Sequence, residues 1–262
     1  MASTPSEPTS AAPTTTTTSD STATMPPLMY GTAWKKERTA DLVYEAIKAG
    51  FRGIDTAAMT KHYDEAGTGE GIRRAIREGI ISRKDLFVRC PKTLLAWSTL
   101  QSYLPSSPDP SRRGKILRLG ISNVHSVSLL DVLPGVGVVQ NRFRAVERAW
   151  DRQIRSWCEA KGARYQGFWT LTGNPSIWDY PAGPAVFVQA IADGAGVSCA
   201  EAWYVLMMER GVVVLDGTTD VGGHMRGDLE ARGKVAEWRG TEEGKHVWGV
   251  CWEKFLRVVD SA

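Results

Sequence analysis

Two residues that could handle a proton lie close together early in the chain, Asp55 and Tyr63. Asp55 ends the apolar stretch FRGID, and Tyr63 follows eight positions later, just ahead of a helical pattern. A carboxylate at the end of a strand can tune a nearby phenol so that it acts as a proton donor. The pair therefore predicts chemistry on a carbonyl group, with Tyr63 as the acid.

The elements that would position this pair alternate along the chain from Leu28 onward. Thr39 to Ala49 has one apolar face and stops at Gly50, which predicts a helix, and a second helix is predicted at 71–78. Ser198 and Glu201 form a capping box that opens a helix running to Glu209. Strands are predicted at 28–33, 51–57, 85–90, 115–122, 136–143, 163–171 and 212–218. Strands that alternate with helices indicate right-handed βαβ units and a parallel sheet.

The composition and charge of the chain argue against several classes of protein. The net charge of +3, with both signs interspersed, argues against a partner that is nucleic acid or a membrane surface, and no apolar run is long enough to span a bilayer. The four cysteines are widely separated and lack metal-ligand spacing, so we expect reduced thiols, a cytoplasmic protein and no metal. Residues 1–27, rich in Ser, Thr and Pro, predict a disordered tail ahead of one domain at 28–262. The oligomeric state stays open.

Several short motifs occur in one order along most of residues 28–230. They are GTAW (31–34), FRGIDTA (51–57), KHYDEAG (61–67), LRLGISN (117–123), VVQNRF (138–143), YQGFWTLTGNP (165–175) and VVVLDGTT (212–219). In these motifs the chain resembles the aldo-keto reductase superfamily, and its fungal members in particular. The resemblance implies a (β/α)₈ TIM-type barrel that reduces a small-molecule aldehyde or ketone with NADPH. Since such a barrel needs eight strands and seven are found, we expect an incomplete, distorted or open barrel.

The resemblance also implies a catalytic tetrad of Asp, Tyr, Lys and His, of which Asp55 and Tyr63 match the first two. Pro91 stands at the lysine position, and Lys92, one residue later, is the candidate that remains. Alternatively, the chain passes directly from the third strand, at Val88 or Arg89, to the segment that follows the family's fourth strand, and then both Lys and His are absent. The histidines, His62, His125, His224 and His246, do not follow apolar strands.

Positions that bind the cofactor in the family carry over more completely. The resemblance assigns Ser122, Asn123 and Gln140 to the nicotinamide carboxamide, and Phe168 to stacking on the nicotinamide ring. It assigns the loop Gly217, Thr218 and Thr219 to phosphate binding after the last strand. The family's lysine in this loop falls at Gly217, its arginine for the 2′-phosphate falls at His224, and its glutamate falls at Gly227. These departures predict weaker preference for NADPH or weaker binding.

Two functions follow from this sequence. The first is an NADPH-dependent reductase of aldehydes or ketones, which by resemblance to fungal relatives would serve small-molecule (secondary metabolite) biosynthesis. The second is a catalytically impaired descendant, either a pseudoenzyme that keeps a ligand-binding barrel or the product of a gene model that skips a coding segment. Nucleotide binding and turnover, measured separately, would discriminate them.

Overall fold

The computed structural model of the protein describes residues 24–90, 101, 104–114, 116–144, 149–174 and 185–260. The strands are β1 (Leu28–Gly31), β2 (Gly53–Asp55), β3 (Phe87–Arg89), β4 (Leu119–Ser122), β5 (Val136–Arg142), β6 (Arg164–Phe168) and β7 (Val213–Asp216). The helices are α1 (Thr39–Ala49), α2 (Glu65–Arg77), α3 (Val127–Asp131), α4 (Arg152–Lys161), α5 (Val186–Ala195), α6 (Cys199–Glu209), α7 (His224–Arg239) and α8 (Glu242–Asp260).

All seven strands form one parallel sheet in the order β3-β2-β1-β7-β6-β5-β4. The sheet curls into part of a barrel, and β3 and β4 are its two edges. No strand within the described ranges lies between these edges. The expectation of an incomplete barrel of about seven strands is therefore confirmed.

The main core lies between the sheet and the helices around it. One face of each strand supplies residues such as Ile54, Val139 and Val214, which are fully buried. Helices supply Trp203 and Phe255, whose rings pack edge to face with centroids 5.6 Å apart. Side chains alternate between the two faces of a strand, so the residues between these positions point into the barrel.

The barrel interior has a smaller apolar layer of its own. It consists of Met25, Met29, Val138 and Val213, with Phe87 and Leu215 packed against them. Met25 lies before the first strand, in the region that composition assigned to the tail, and Pro27 accepts a backbone hydrogen bond from Val214 at 2.8 Å. The folded part of the chain thus begins a few residues earlier than composition predicted.

Local signals explain where several helices begin and end. α1 ends at Gly50, whose φ of 125° lies in the region that glycine tolerates without strain. The capping box at Ser198 and Glu201 is present as predicted. α2 begins earlier than the predicted range because the Asp64 carboxylate accepts a hydrogen bond from the Gly67 backbone at 2.8 Å. This early start sets the length of the loop that carries Tyr63.

Candidate active site

The carboxyl ends of the parallel strands meet at one end of the sheet, where active sites of such barrels lie. Five of these strands end in a residue that could take part in binding or catalysis: Asp55, Arg89, Ser122, Phe168 and Asp216. The fold therefore brings carboxylates, a guanidinium, a hydroxyl and an aromatic ring to the same end of the sheet. We call this end of the sheet the mouth.

The central feature of the mouth is a buried ion pair between Asp55 and Arg89. Nη1 of Arg89 lies 2.8 Å from Oδ1 of Asp55, and the two side chains are 6% and 1% exposed. They face each other because Asp55 and Arg89 are register partners on the neighbouring strands β2 and β3. Nε2 of Gln140 on β5 donates to the same Oδ1 at 3.1 Å. Three strands are thus joined through one carboxylate.

The charges of Asp55 and Arg89 contribute to the pKa of Tyr63. Tyr63 is half-buried, and its backbone N–H is bonded to the Met59 carbonyl at 3.0 Å. The pKa of Tyr63 is raised to about 12, mainly by burial and also by the negative charge of Asp55, against the opposing effect of the positive charge of Arg89. Burial likewise raises the pKa of Asp55, against the opposing effect of Arg89 and Gln140. Tyr63 therefore keeps its proton at neutral pH and can donate it.

Arg89 is the residue that reasoning from sequence missed. The resemblance directs attention to a lysine, but the predicted candidate, Lys92, lies outside the described residues. A signal for Arg89 was present, since it is the basic residue that ends the apolar stretch DLFV, as Asp55 ends FRGI. Its pairing with Asp55 depends on the register of β2 against β3, which the sequence of either strand alone does not fix.

Trp34 and His62 lie in the loops that follow β1 and β2, next to Tyr63. The Trp34 backbone N–H donates to the His62 carbonyl at 2.7 Å, and the two rings lie 4.0 Å apart between centroids. Trp34 is 60% exposed, and its φ of 65° is unusual for a bulky residue. The exposed indole gives the mouth an apolar wall on this side.

Residues assigned to the nicotinamide lie on the opposite wall. Asn123 follows β4 with a φ of 58°, and its backbone N–H donates to the Gln140 carbonyl at 3.0 Å. Ser122 precedes it at the end of β4, and Phe168 is the register partner of Arg142 at the neighbouring strand ends. Gln140 is bonded to Asp55, so one amide hydrogen is engaged within the protein. The fold brings these predicted residues to one end of the sheet.

The loop after β7 is held in place by hydrogen bonds from Tyr30, in β1, and from Lys35, in the loop after β1. The buried Lys35 ammonium donates to the carbonyl of Gly217 and, at 3.3 Å, to that of Thr218. The Tyr30 hydroxyl donates to the Thr218 carbonyl at 2.9 Å. The side of Gly217 that a Cβ would occupy is open space, with no heavy atom within 4 Å. The loop is thus held in one place and can be approached closely at Gly217.

A carboxylate already occupies the amides ahead of α7. Oδ1 of Asp220 accepts hydrogen bonds from the backbone N–H groups of Gly222 and Gly223, each at 3.1 Å. These donors lower the pKa of Asp220. His224 begins α7, is exposed, and lies 3.9 Å from Asp220. The backbone N–H groups of Gly222 and Gly223 could therefore bind an anionic group such as a phosphate, which would have to displace the Asp220 carboxylate.

Other kinds of site receive no support from the part of the chain that is described. No helix there is long and apolar enough to cross a membrane. No group of three or more His, Cys, Asp or Glu residues there could hold a metal ion. None of the four cysteines, all of which lie within the described residues, forms a disulfide.

Known proteins similar in sequence include fungal sugar reductases. No protein-family profile matches the chain. The NAD(P)H-dependent D-xylose reductase of Pachysolen tannophilus is 51% identical over 55 residues, which are 21% of this chain and 17% of that protein. The NADPH-dependent aldose reductase of Saccharomyces cerevisiae is 48% identical over 64 residues, 24% of this chain and 19% of that protein. The chain spans about one fifth of the length of these curated relatives.

Structures similar to the fold are aldo-keto reductases. One from Bombyx mori in complex with NADP has a TM-score of 0.60 and 18% identity, covering 82% of this chain and 88% of that one. One from Brucella melitensis has a TM-score of 0.59 and 18% identity, covering 79% and 88%. The fold is that of an incomplete aldo-keto reductase barrel. Together with the fungal sequence matches, this confirms the similarity recognised from sequence: the chain resembles proteins of the aldo-keto reductase superfamily.

Proposed function

We propose that the protein is an NAD(P)H-dependent oxidoreductase that reduces an aldehyde or ketone to an alcohol, with Tyr63 as the general acid. The observation that carries the proposal is the buried Asp55–Arg89 ion pair at the mouth, which acts electrostatically on the half-buried Tyr63. A phenol that keeps its proton at neutral pH can hydrogen-bond to a carbonyl oxygen and protonate it as negative charge develops. Asp55 orients Arg89 and balances its charge.

Arg89 supplies the positive charge that the family's lysine would supply. Its guanidinium opposes the increase in the Tyr63 pKa that burial and Asp55 cause. A phenolate that forms as Tyr63 releases its proton is therefore stabilised by Arg89. Lys92 remains a second candidate for this role.

The nicotinamide dinucleotide supplies the hydride, and we assign its two ends to different residues. Ser122, Asn123 and Phe168 would hold the nicotinamide ring, together with the part of Gln140 that Asp55 leaves free. The loop at Gly217, Thr218 and Thr219 and the amides ahead of α7 would hold the phosphates once Asp220 moves aside. His224 would lie near the 2′-phosphate of NADP. His224 stands where the family has an arginine, so we expect only modest preference for NADPH over NADH.

A second candidate function is that of a ligand-binding barrel without turnover. The specific observation in its favour is that Asp220 occupies the amides that a nucleotide phosphate would need. The resemblance to fungal reductases supports a role in small-molecule biosynthesis, and the free thiols support a cytoplasmic setting. Both remain proposals.

The test uses the full chain with NADPH and a panel of activated aldehydes, including 4-nitrobenzaldehyde, and aldoses. We expect nucleotide binding by fluorescence titration and oxidation of NADPH that depends on the aldehyde. Tyr63→Phe should lower kcat by about 10²- to 10⁴-fold, as expected for removal of a general acid. Tyr44→Phe is the matched control, because the Tyr44 hydroxyl is bonded to Glu78 on the outside of the barrel at 2.6 Å.

Each outcome separates the two candidates. Binding of NADPH without reduction of any aldehyde would overturn the reductase and favour the ligand-binding barrel. Turnover that survives in Tyr63→Phe would keep the reductase and remove Tyr63 from the mechanism.

A further inference from the structure

Arg89 has a donor edge that no described residue uses. Its Nη1 donates to Asp55, whereas Nε and Nη2 are buried and have no hydrogen-bond partner among the residues that the structure describes. Nε and Nη2 form one edge of the planar guanidinium, and an edge of this kind presents two parallel N–H groups to a single acceptor. Buried donors are costly to leave unpaired, so an unused edge at the mouth indicates an acceptor that is absent from the free protein.

The space beside this edge lies against Gly120. Gly120 is on β4, the edge strand across the opening of the sheet from β3. A Cβ at Gly120 would lie 3.6 Å from Nε of Arg89 and 3.3 Å from the Cβ and carbonyl oxygen of Val138, so the missing side chain lets β4 approach the donor edge closely. Ser122 follows two residues later on the same face of β4. The unused edge therefore lies on the side of the mouth where the nicotinamide is assigned.

The charges around Arg89 favour a neutral acceptor over an anion. Asp55 already neutralises Arg89, and the second oxygen of Asp55, Oδ2, is buried and accepts no hydrogen bond from the described part of the chain. A carboxylate placed here would be a second, uncompensated negative charge in a buried site. A carbonyl oxygen is neutral when it binds and becomes negative only as reduction proceeds. Donors that are fixed in a water-poor site stabilise such developing charge strongly.

We propose that the Nε–Nη2 edge of Arg89 donates to the substrate carbonyl oxygen and stabilises its negative charge during reduction. The proposal rests on the reductase function. A hydride from the reduced nicotinamide forms the new C–H bond, the π bond of the carbonyl breaks, and its electron pair moves to oxygen. That oxygen takes the Tyr63 proton, and solvent returns a proton to Tyr63. Arg89 keeps all its protons, and it orients the carbonyl in a barrel whose sequence has no candidate for the family's histidine.

The kinetic test compares Arg89→Lys with wild type. Lysine keeps the positive charge but lacks the two-donor edge, so kcat should fall by about 10²- to 10³-fold with little change in KM, as for loss of an oxyanion donor. The loss should be smaller for electron-poor aldehydes, which need less stabilisation of the oxygen. Arg155→Lys is the matched control: Arg155 is also buried and pairs with Asp260 at 2.8 Å, near the amino ends of β6 and β7. We expect it to affect thermal stability without affecting this pattern.

A second measurement needs neither turnover nor cofactor. The carbonyl stretching frequency of 4-nitrobenzaldehyde carrying ¹³C at its carbonyl carbon, bound to the protein, should be lowered in wild type and return toward the free value in Arg89→Lys. Gly120→Ala places a methyl group beside Nε and should have the same effect in a folded protein, provided that Val138, 3.3 Å from the new Cβ, can adjust. Gly120→Ala provides the test if Arg89→Lys does not fold.

The outcomes distinguish this inference from the function on which it rests. An Arg89-dependent carbonyl shift without turnover would remove the reductase and keep Arg89 as the carbonyl donor. Turnover by wild type, with kcat and carbonyl frequency unchanged in both Arg89→Lys and Gly120→Ala, would overturn the inference and keep the reductase. A wild-type protein that shows no shifted carbonyl band with the aldehyde also overturns it.

Discussion

Asp216, at the end of β7, and Asp228, in α7, are neighbouring buried carboxyl groups that perturb each other's ionisation. Asp216 is 1% exposed and Asp228 is 6% exposed. Burial, and then the negative charge of Asp216, raises the pKa of Asp228 to about 9. Two carboxylates this close cannot both ionise at neutral pH, so Asp228 keeps its proton. The proton on Asp228 removes charge repulsion between α7 and the strand that carries the loop Gly217 to Thr219.

Asp228→Asn should flatten the dependence of stability on pH. In the folded protein the pKa of Asp228 is raised, so the stabilisation from its proton is complete below the unfolded pKa of about 4 and is lost as pH rises through about 9. Wild type should therefore unfold more easily at pH 9 than at pH 6. Asparagine offers a donor to Asp216 that does not titrate, so the difference should shrink. Urea unfolding at pH 6 and pH 9 measures this difference in the free energy of unfolding, and Asp193→Asn, at an exposed position, is the control. Equal pH dependence in Asp228→Asn and wild type would show that the pair does not share a proton.

Asp220→Asn should strengthen dinucleotide binding. Asparagine can still accept from the amides of Gly222 and Gly223 but carries no negative charge, so a phosphate no longer meets a competing anion. A charge near a helix N-terminus contributes about 0.3–1 kcal/mol, which corresponds to roughly two- to five-fold tighter binding of NADPH at low salt. Fluorescence titration at low and high salt measures this, because the effect should be screened. Asp131→Asn is the control, since the Asp131 and Asp220 side chains are each 50% exposed. Weaker binding in Asp220→Asn would mean that phosphates do not use these amides.

Features encoded over short stretches of sequence could be predicted. α1 has the predicted bounds, Thr39 to Ala49, because its apolar face and the glycine after it lie within a dozen residues. The capping box at Ser198 was equally local. The seven strands were all found, although each is shorter than its apolar stretch, because pairing ends where the neighbouring strand ends.

Features that depend on contacts between distant segments were not predicted. Arg89 meets Asp55 through the register of β2 and β3, and Lys35 reaches the Gly217 carbonyl from the loop after β1. The interaction of Asp216 with Asp228 likewise depends on how α7 packs against the sheet. Each of these residues is an ordinary charged residue in the sequence. Only the fold shows that its charge is buried and opposed by a particular partner.

Asp55→Asn should make the Tyr63 phenol more acidic. The negative charge of Asp55 raises the Tyr63 pKa, and in this variant the opposing charge of Arg89 is no longer balanced. Removing the carboxylate stabilises the phenolate, so the Tyr63 pKa should fall below about 12. In the profile of kcat against pH, the decrease on the alkaline side should therefore move to lower pH. Near-ultraviolet titration of the phenol, with Tyr63→Phe to identify its signal, and the pH dependence of kcat measure the two effects. A limb that moves to higher pH would show that Asp55 and Arg89 do not control the acidity of Tyr63.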